Sequence, residues 1–207
     1  MEMDHNMDNS SFLSVCLIGH SFVTRLQRYM QTNSQLRNLK LDSDYFNVFT
    51  CSRGGLRVAQ LPAFVSLSTT PHMCFIQIGE NDLLRCDVNK LTTDILSFAS
   101  YLHEGVGIPI VIVGQLLRRQ PWASSRDFNV KIVEANLLLK AQCSKHEGIY
   151  FWHHRGFWSD LNFLCHDGVH LQCPRSSVHV VTSSPMHKYW RSIRSAILHF
   201  KPKLRPV

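Results

Sequence analysis

Ser21 is the first residue whose type and position suggest chemistry. It stands in the stretch SVCLIGHSFVTRL at 14–26, where an apolar run ends at a glycine and a helix-like segment begins. A serine hydroxyl is a nucleophile at neutral pH only if a base lies within hydrogen-bond reach. At the same position a serine can instead cap a helix, because its oxygen accepts from backbone N–H groups. The local sequence leaves both roles open.

A candidate base lies far along the chain in the segment CHDGVHLQ. Its Asp167 and His170 are separated by a glycine and a valine. A tight turn at this spacing lets the carboxylate accept from the Nδ1–H of the imidazole, which leaves Nε2 able to take a proton. The same D-x-x-H pattern also occurs in ordinary surface turns. His166 and His170 could share a zinc ion only on a helix, which Gly168 disfavours, so we expect no metal site.

Two further segments contain groups that could stabilise a developing oxyanion. Asn81 in IQIGEND has a side-chain amide, and Gly55 in SRGGLRV has a backbone N–H that a ligand can approach closely. The backbone N–H of Ser21 would be a third donor. Taken alone, each of these residues is also typical of a turn.

The elements that must position these residues follow from the hydrophobic pattern. We predict strands at 15–18, 45–50, 73–78, 109–113 and 149–152, and helices at 23–39, 57–64, 88–102, 127–145 and 187–200. Strands that alternate with helices form a parallel sheet covered on both faces. The turns after the first three strands therefore meet at the carboxyl edge of the sheet, where ligands bind in such folds. Asp87 and Ser125 are predicted helix caps, and 172–185 is a predicted loop or hairpin.

The composition indicates one folded domain. The chain has 207 residues, of which 44% are hydrophobic and 18% are charged. We divide it into a disordered leader at 1–12, a single domain at 13–200 and a basic tail at 201–207. Seven cysteines without a C-x-x-C pair favour a reduced, intracellular and cytoplasmic location. We find neither a signal-peptide pattern nor an apolar run that approaches the roughly 20 residues of a membrane helix.

Four short blocks, taken in chain order, make the sequence resemble the SGNH (GDSL-type) hydrolases. They are IGHSF at 18–22, SRGGLRV at 52–58, IGEND at 78–82 and DGVHL at 167–171. The resemblance spans about residues 14 to 171. The finer resemblance is to SGNH-like esterase domains of aquatic animals, some of them associated with mobile elements.

The resemblance implies a fold, a reaction and a set of site residues. The fold would be a three-layer α/β/α sandwich with a five-stranded parallel sheet of flavodoxin-like topology. The reaction would be hydrolysis of a small-molecule acyl ester through an acyl-serine intermediate, without a cofactor. The catalytic triad would be Ser21, Asp167 and His170. The oxyanion hole would be formed by the N–H groups of Ser21 and Gly55 and by the Asn81 amide.

One residue departs from the pattern of that family within the first block. His20 stands where an aspartate usually precedes the serine. We expect that an imidazole cannot accept hydrogen bonds in the way a carboxylate does, so the serine turn would lose a stabilising contact. His20 could instead be a second proton acceptor beside Ser21.

The alternative function is a catalytically silent binding module, associated with nucleic acid through a mobile element. The formal net charge of +7 permits an acidic partner, although no block of five or more basic residues occurs. Arg118 and Arg119 follow the fourth strand and could meet an anionic group or a carbonyl oxygen. His153 and His154 follow the fifth strand and are expected to be polar loop residues.

Overall fold

The computed structural model describes residues 12–158, 160–174 and 180–204. Its strands are β1 (Leu13–Gly19), β2 (Phe46–Ser52), β3 (Met73–Gln77), β4 (Ile110–Gly114) and β5 (Ile149–Trp152). All neighbouring strands pair in parallel, and they form one sheet in the order β2-β1-β3-β4-β5. The predicted α/β fold with a five-stranded parallel sheet is confirmed.

Five α-helices alternate with these strands and follow the last of them. They are α1 (Ser21–Thr32), α2 (Leu61–Phe64), α3 (Val88–Ser100), α4 (Phe128–Cys143) and α5 (Pro185–Phe200). Short 3-10 segments lie at Ser34–Lys40, Val58–Gln60, Pro121–Ala123 and Lys201–Lys203, and a π-helical turn at Tyr101–Gly105 continues α3.

The side chains of β1 alternate between two hydrophobic cores. Val15 and Leu17 pack among the buried residues of α1 and α5 on one face of the sheet. Cys16 and Ile18 pack among those of α3 and α4 on the other face. Successive residues of a strand point to opposite faces, so a strand that is covered on both sides reads as one continuous apolar run. The three-layer arrangement therefore follows directly from the composition of β1.

The predicted first helix is wrong beyond Thr32, where α1 ends. Asn33 is extended there, and its side chain caps the separate segment Ser34–Lys40. Within that segment Asn38 has a φ of 51°, and its side-chain amide bonds to backbone groups before and within β2 at 2.7–3.1 Å. Tertiary hydrogen bonds thus override an apolar spacing that is typical of a longer helix.

Of the two predicted helix caps, one is confirmed and the other is wrong. Asp87 caps α3, because its side chain accepts from the N–H of Lys90 at 2.8 Å. Helix α4 begins only at Phe128, and Ser125 contributes its backbone carbonyl, which accepts from the N–H of Phe128 at 3.0 Å. The N-cap residue of α4 is Asp127, whose side chain makes no capping bond.

Several predicted segments fall partly outside the described residues. These are 1–11 of the predicted leader, 175–179 of the predicted loop at 172–185, and 205–207 of the predicted tail. The described part of that loop is held by the N–H of Met186, which donates to the carbonyl of Gln172 at 3.0 Å. None of the helices in the described ranges combines the length and the apolar composition that crossing a bilayer requires.

Gly19, at the end of β1, provides a test of how tightly the sheet edge is packed. A Cβ at this position would overlap the carbonyl oxygen of Gln77 and lie 2.6 Å from Cγ2 of Val23, whereas a Cβ on Gly54 would meet nothing within 4 Å. We expect Gly19→Ala to lower the free energy of unfolding by about 1–3 kcal/mol, because overpacking forces backbone shifts. Gly54→Ala is the matched control and should unfold like the wild type in urea. Equal stability of the two variants would contradict the packing described here.

Candidate active site

The turns after β1, β2 and β3 are tied to one another at the carboxyl edge of the sheet. The N–H of Arg53 donates to the carbonyl of Gly19 at 3.2 Å and joins the second turn to the first. The N–H of His20 donates to the carbonyl of Gln77 at 3.3 Å and joins the first turn to the third strand. Because these strands are neighbours in the sheet, their polar turns lie side by side.

Ser21 is the first residue of α1, and its neighbour His20 caps that helix. Nδ1 of His20 accepts from the N–H of Phe22 at 3.5 Å and lies 3.4 Å from Oγ of Ser21. The helix-cap role considered for Ser21 is therefore wrong, and so is the expected loss of a stabilising contact at the serine turn, because the imidazole of His20 accepts from the start of α1. The Ser21 hydroxyl stands at the N-terminus of α1, where unpaired N–H groups create a partial positive charge.

His20 forms a buried pair with Glu80, a residue of the third block. Nε2 of His20 lies 2.6 Å from Oε2 of Glu80, and both side chains are almost inaccessible to solvent. Oε1 of Glu80 accepts from Nε2 of Gln77 at 2.9 Å and from the N–H of Leu117 at 3.0 Å. Burial acts to raise the pKa of Glu80, but the interactions with His20 and with backbone N–H groups outweigh it, so the pKa is lowered.

Asn81 is held by hydrogen bonds at both ends of its amide. Its Oδ1 accepts from Nη2 of Arg119 at 3.2 Å, and its Nδ2 donates to the carbonyl of Leu56 at 3.2 Å. Because guanidinium is only a donor, the amide orientation is fixed, and the second N–H of Nδ2 remains for another acceptor. The bond to Leu56 also joins the turn after β3 to the turn after β2.

Arg119 is a buried support of the site. Its Nη2 also donates to the backbone carbonyl of Glu80 at 3.0 Å, and its guanidinium lies 4.6 Å from the ring centroid of Phe128. Burial lowers the pKa of Arg119, although the charge of Glu80 opposes this shift. Arg119 thus contacts a carbonyl oxygen of the protein itself.

Gly55 lies in an open turn after β2. Its φ of +72° is in the left-handed region, and a Cβ built there would meet no atom within 4 Å. Glycine adopts this conformation without strain, and the space beside it is open to a ligand. The turn is anchored nearby by Asp82, whose carboxylate accepts from the N–H of Val58 at 3.2 Å. Burial raises the pKa of Asp82 to about 6, although that hydrogen bond opposes the shift.

Asp167 and His170 form the carboxylate–imidazole pair that the D-x-x-H spacing predicted. Oδ2 of Asp167 lies 2.8 Å from Nδ1 of His170, and Oδ1 accepts from the N–H groups of Val169 and His170 at 2.9 Å. Gly168 has a φ of +68°, and a Cβ there would lie 2.8 Å from Cβ of Ala123. The turn therefore needs glycine both for its backbone conformation and for its close approach to the loop after β4.

The pair lies against the first turns of α1. The ring centroids of His170 and Phe22 are 6.2 Å apart, and Phe22 directly follows Ser21. Nη2 of Arg25, one turn further along the helix, lies 3.9 Å from Oδ2 of Asp167. Residues 21 and 170, which are remote in sequence, thus belong to one neighbourhood.

The protonation states of the pair suit a base and its partner. Burial acts to raise the pKa of Asp167, but hydrogen bonds from the N–H groups of His170 and Val169 and from the His170 ring bring it well below its usual range. Burial lowers the pKa of His170, the bond to Asp167 opposes this, and the charge of Arg25 lowers the pKa further. At neutral pH the carboxylate is therefore ionised and the imidazole is neutral.

Comparison with known proteins decides the family. A family profile described as GDSL-like Lipase/Acylhydrolase matches residues 16–172. The chain belongs to the GDSL-like lipase/acylhydrolase family. The resemblance of the four blocks to SGNH (GDSL-type) hydrolases is thereby confirmed. No curated protein sequence matched the chain.

Solved structures named as a lipase and as esterases share the fold of this GDSL-like chain. A GDSL-like lipase from Bacteroides thetaiotaomicron has a TM-score of 0.65 at 17% identity, over 90% of this chain and 88% of that one. A carbohydrate esterase family 3 from Talaromyces cellulolyticus has a TM-score of 0.66 at 12% identity, over 94% and 100%. An acetyl esterase mutant with an acetate ion has a TM-score of 0.67 at 13% identity, over 94% and 100%.

A buried polar network lies behind the site and was not predicted from the sequence. His154, expected as a loop residue, is fully buried, and burial lowers its pKa to about 3. Its Nε2 lies 3.1 Å from Oε1 of Gln77, and its Nδ1 lies 2.8 Å from Oγ of Ser192. The one available signal was the polar residue Gln77 inside the apolar strand β3. In the ranges that the structure describes, no three His, Cys, Asp or Glu side chains group as metal ligands would.

The position of Arg25 gives a prediction for the titration of His170. Arg25→Gln should raise the pKa of His170, because a positive charge that disfavours imidazolium is removed. Arg28→Gln removes the same charge from an exposed position on α1 and should leave that pKa nearly unchanged. The His170 resonances in an NMR pH titration measure both values. A rise of equal size in the two variants would show that Arg25 acts only through net charge.

Proposed function

We propose that this chain is a serine esterase that hydrolyses small-molecule acyl esters through an acyl-serine intermediate. The observation that carries the proposal is the Asp167–His170 pair lying against the helix that begins at Ser21. The turns of Gly55 and Asn81, tied to the same sheet edge, support it. Members of the GDSL-like family are acylhydrolases by name, and the structural neighbours include an acetyl esterase and a carbohydrate esterase.

In this proposal Ser21 attacks the acyl carbon while its proton passes to Nε2 of His170. Asp167 accepts from Nδ1–H and keeps the imidazole in the required tautomer. The new Oγ–C bond turns the carbonyl oxygen into an oxyanion, which accepts from the N–H groups of Ser21 and Gly55 and from the Asn81 amide. His170 then protonates the leaving alcohol as the C–O bond breaks.

The second half of the cycle regenerates the enzyme. Water attacks the acyl-serine carbon while His170 takes one of its protons, and the carboxylic acid leaves as Oγ of Ser21 regains a proton. The base form of His170 is required in both halves. Because the pKa of His170 is lowered, the rate should fall only as the pH drops below the usual range of histidine.

Labelling and hydrolysis by purified protein test the proposal together. We expect a fluorophosphonate probe to label the wild type, and p-nitrophenyl esters of graded acyl length to be hydrolysed. Ser21→Ala should lose both activities, whereas Asn81→Ala should still react with a kcat about 10²–10³-fold lower, because one oxyanion donor is missing. Ser43→Ala, which changes an exposed serine outside the site, is the control. Labelling that persists in Ser21→Ala would overturn the proposal.

A second candidate function, nucleic-acid binding, is favoured by one surface. A groove of about 910 Å³ lies between the end of β5 and α5, and Arg155, Lys188 and Arg191 contribute to its lining together with Phe151 and Trp152. No acidic residue lines it, and the salt bridges found among the described residues do not involve these three cations. Proteins that bind single-stranded nucleic acids commonly combine cations, which contact the phosphates, with aromatic rings, on which the bases stack.

Fluorescence anisotropy with a labelled single-stranded oligonucleotide tests this candidate. If the groove binds nucleic acid, Lys188→Glu/Arg191→Glu should weaken binding at least tenfold and flatten the dependence of affinity on salt, because phosphate contacts release counterions. Arg85→Glu/Lys145→Glu reverses the same amount of charge at exposed residues outside the groove. Equal loss in both double variants would mean that only net charge matters. Absence of binding by the wild type would remove the candidate.

A further inference from the structure

We propose that the buried His20–Glu80 pair is a positioning device for the nucleophile. In it Glu80 fixes the tautomer of His20, and His20 in turn fixes Ser21 and the first turn of α1. The inference rests on the proposed esterase function and adds residues to its site. It also explains how the chain dispenses with the aspartate that usually precedes the serine in this family.

The N–H of Phe22 determines where His20 carries its proton. A backbone N–H can only donate, so Nδ1 of His20, 3.5 Å away, must present a lone pair. A proton on Nδ1 would face that N–H, so the ring proton of His20 is on Nε2, which donates to Oε2 of Glu80 at 2.6 Å. With its lone pair directed at the start of α1, Nδ1 can also accept from the hydroxyl of Ser21 at 3.4 Å.

The side chain of Glu80 accepts hydrogen bonds from three neighbouring donors. Its Oε1 already takes two hydrogen bonds, from Gln77 and from the N–H of Leu117, and its Oε2 takes the bond from His20. A buried carboxylate needs such donors, because water cannot replace them. Both oxygens of the ionised carboxylate can only accept hydrogen bonds. The nitrogen of His20 that faces Oε2 must therefore carry a proton, and the lone pair of the ring lies on the other nitrogen.

The polar network behind Glu80 reinforces this direction. Nε1 of Trp152 donates to Oγ of Ser192 at 2.9 Å, and that Oγ lies 2.8 Å from Nδ1 of His154. Nε2 of Gln77 donates to Oε1 of Glu80 and to the carbonyl of Gln115, and because both of these groups can only accept, Oε1 of Gln77 accepts from Nε2–H of His154 and from the hydroxyl of Tyr189. Since Nε2 of the neutral His154 ring carries the proton, its Nδ1 accepts from the Ser192 hydroxyl, and the orientation of each group in this network depends on that of its neighbour.

His20 is a positioning residue in this inference, and His170 is the base. If His20 took the proton of Ser21, its Nδ1–H would face the N–H of Phe22, and the helix cap would be lost. Nδ1 of His170 is paired with Asp167, which leaves Nε2 of that ring for proton transfer. In the resting site the Ser21 hydroxyl donates to Nδ1 of His20, which selects the side-chain rotamer of Ser21; for proton transfer the hydroxyl hydrogen rotates about the Cβ–Oγ bond to Nε2 of His170 while that rotamer is kept.

Glu80→Gln is the variant that separates positioning from simple packing. Oε1 must stay an oxygen because two donors face it, so the new amide nitrogen would face His20. The imidazole would then accept through Nε2 and carry its proton on Nδ1, directed at Phe22 and Ser21. We expect kcat to fall about 10–100-fold with little change in KM, because Ser21 is displaced from the attacking position.

His20→Asn is the variant background in which the effect of Glu80→Gln is measured again. An asparagine oxygen near the place of Nδ1 can still cap α1 but no longer reaches Glu80. We expect His20→Asn to lower the free energy of unfolding, because Oε2 of Glu80 loses its donor, but to lower the kcat of the folded protein by no more than about tenfold. In that background Glu80→Gln should reduce kcat little further. Full coupling between the two substitutions supports the inference, and additive losses would overturn it, since independent packing effects add.

The tautomer can be measured without any activity. In a long-range ¹H–¹⁵N NMR spectrum of the wild type, His20 should be protonated at Nε2, and in Glu80→Gln at Nδ1. A wild-type His20 protonated at Nδ1 would overturn the inference even if the esterase is active. If the wild type neither labels nor hydrolyses esters but shows the Nε2 tautomer, the proposed function fails while the hydrogen-bond arrangement stands.

Discussion

The site depends on a carboxylate that no water reaches. Burial of an ionised group is costly unless donors replace its hydration, and the Glu80 side chain receives three of them, from Leu117, Gln77 and His20. These donors belong to three different places: the loop after β4, the strand β3 and the turn after β1. The carboxylate can be satisfied only when all three are in position. Glu80 therefore makes the geometry of the sheet edge a condition of folding.

The same residue also connects the two halves of the proposed chemistry. Its side chain holds His20, which caps the helix that begins at Ser21, while its backbone carbonyl accepts from Arg119, which orients the Asn81 amide. The proposed nucleophile and the proposed oxyanion donor are thus both held by Glu80. Catalytic groups need to be held within fractions of an ångström, and a shared anchor between β1 and β3 achieves this more directly than two independent loops.

How far the sequence predicts this site depends on how local each interaction is. Local features make candidates of Ser21, Gly55, Asn81 and the Asp167–His170 pair: strand ends, glycines and the D-x-x-H spacing. The parallel sheet then brings the strand ends together. The role of His20 could not be predicted, because its partner lies sixty residues away. The buried contacts of Gln77 and His154 could not be predicted for the same reason. The prediction that the first helix extends to residue 39 was wrong because the Asn38 amide forms hydrogen bonds with the backbone of β2.

Two carboxylate–imidazole pairs occur among the residues that the structure describes, and they differ in burial. The side chains of His20 and Glu80 are 2% and 1% exposed, whereas those of His170 and Asp167 are 23% and 35% exposed. A base must exchange protons with substrate and water in every cycle, which requires access. A buried imidazole whose two nitrogens already have fixed partners can exchange none without breaking a hydrogen bond. The partly exposed pair is therefore suited to proton transfer and the buried pair to holding its neighbour still.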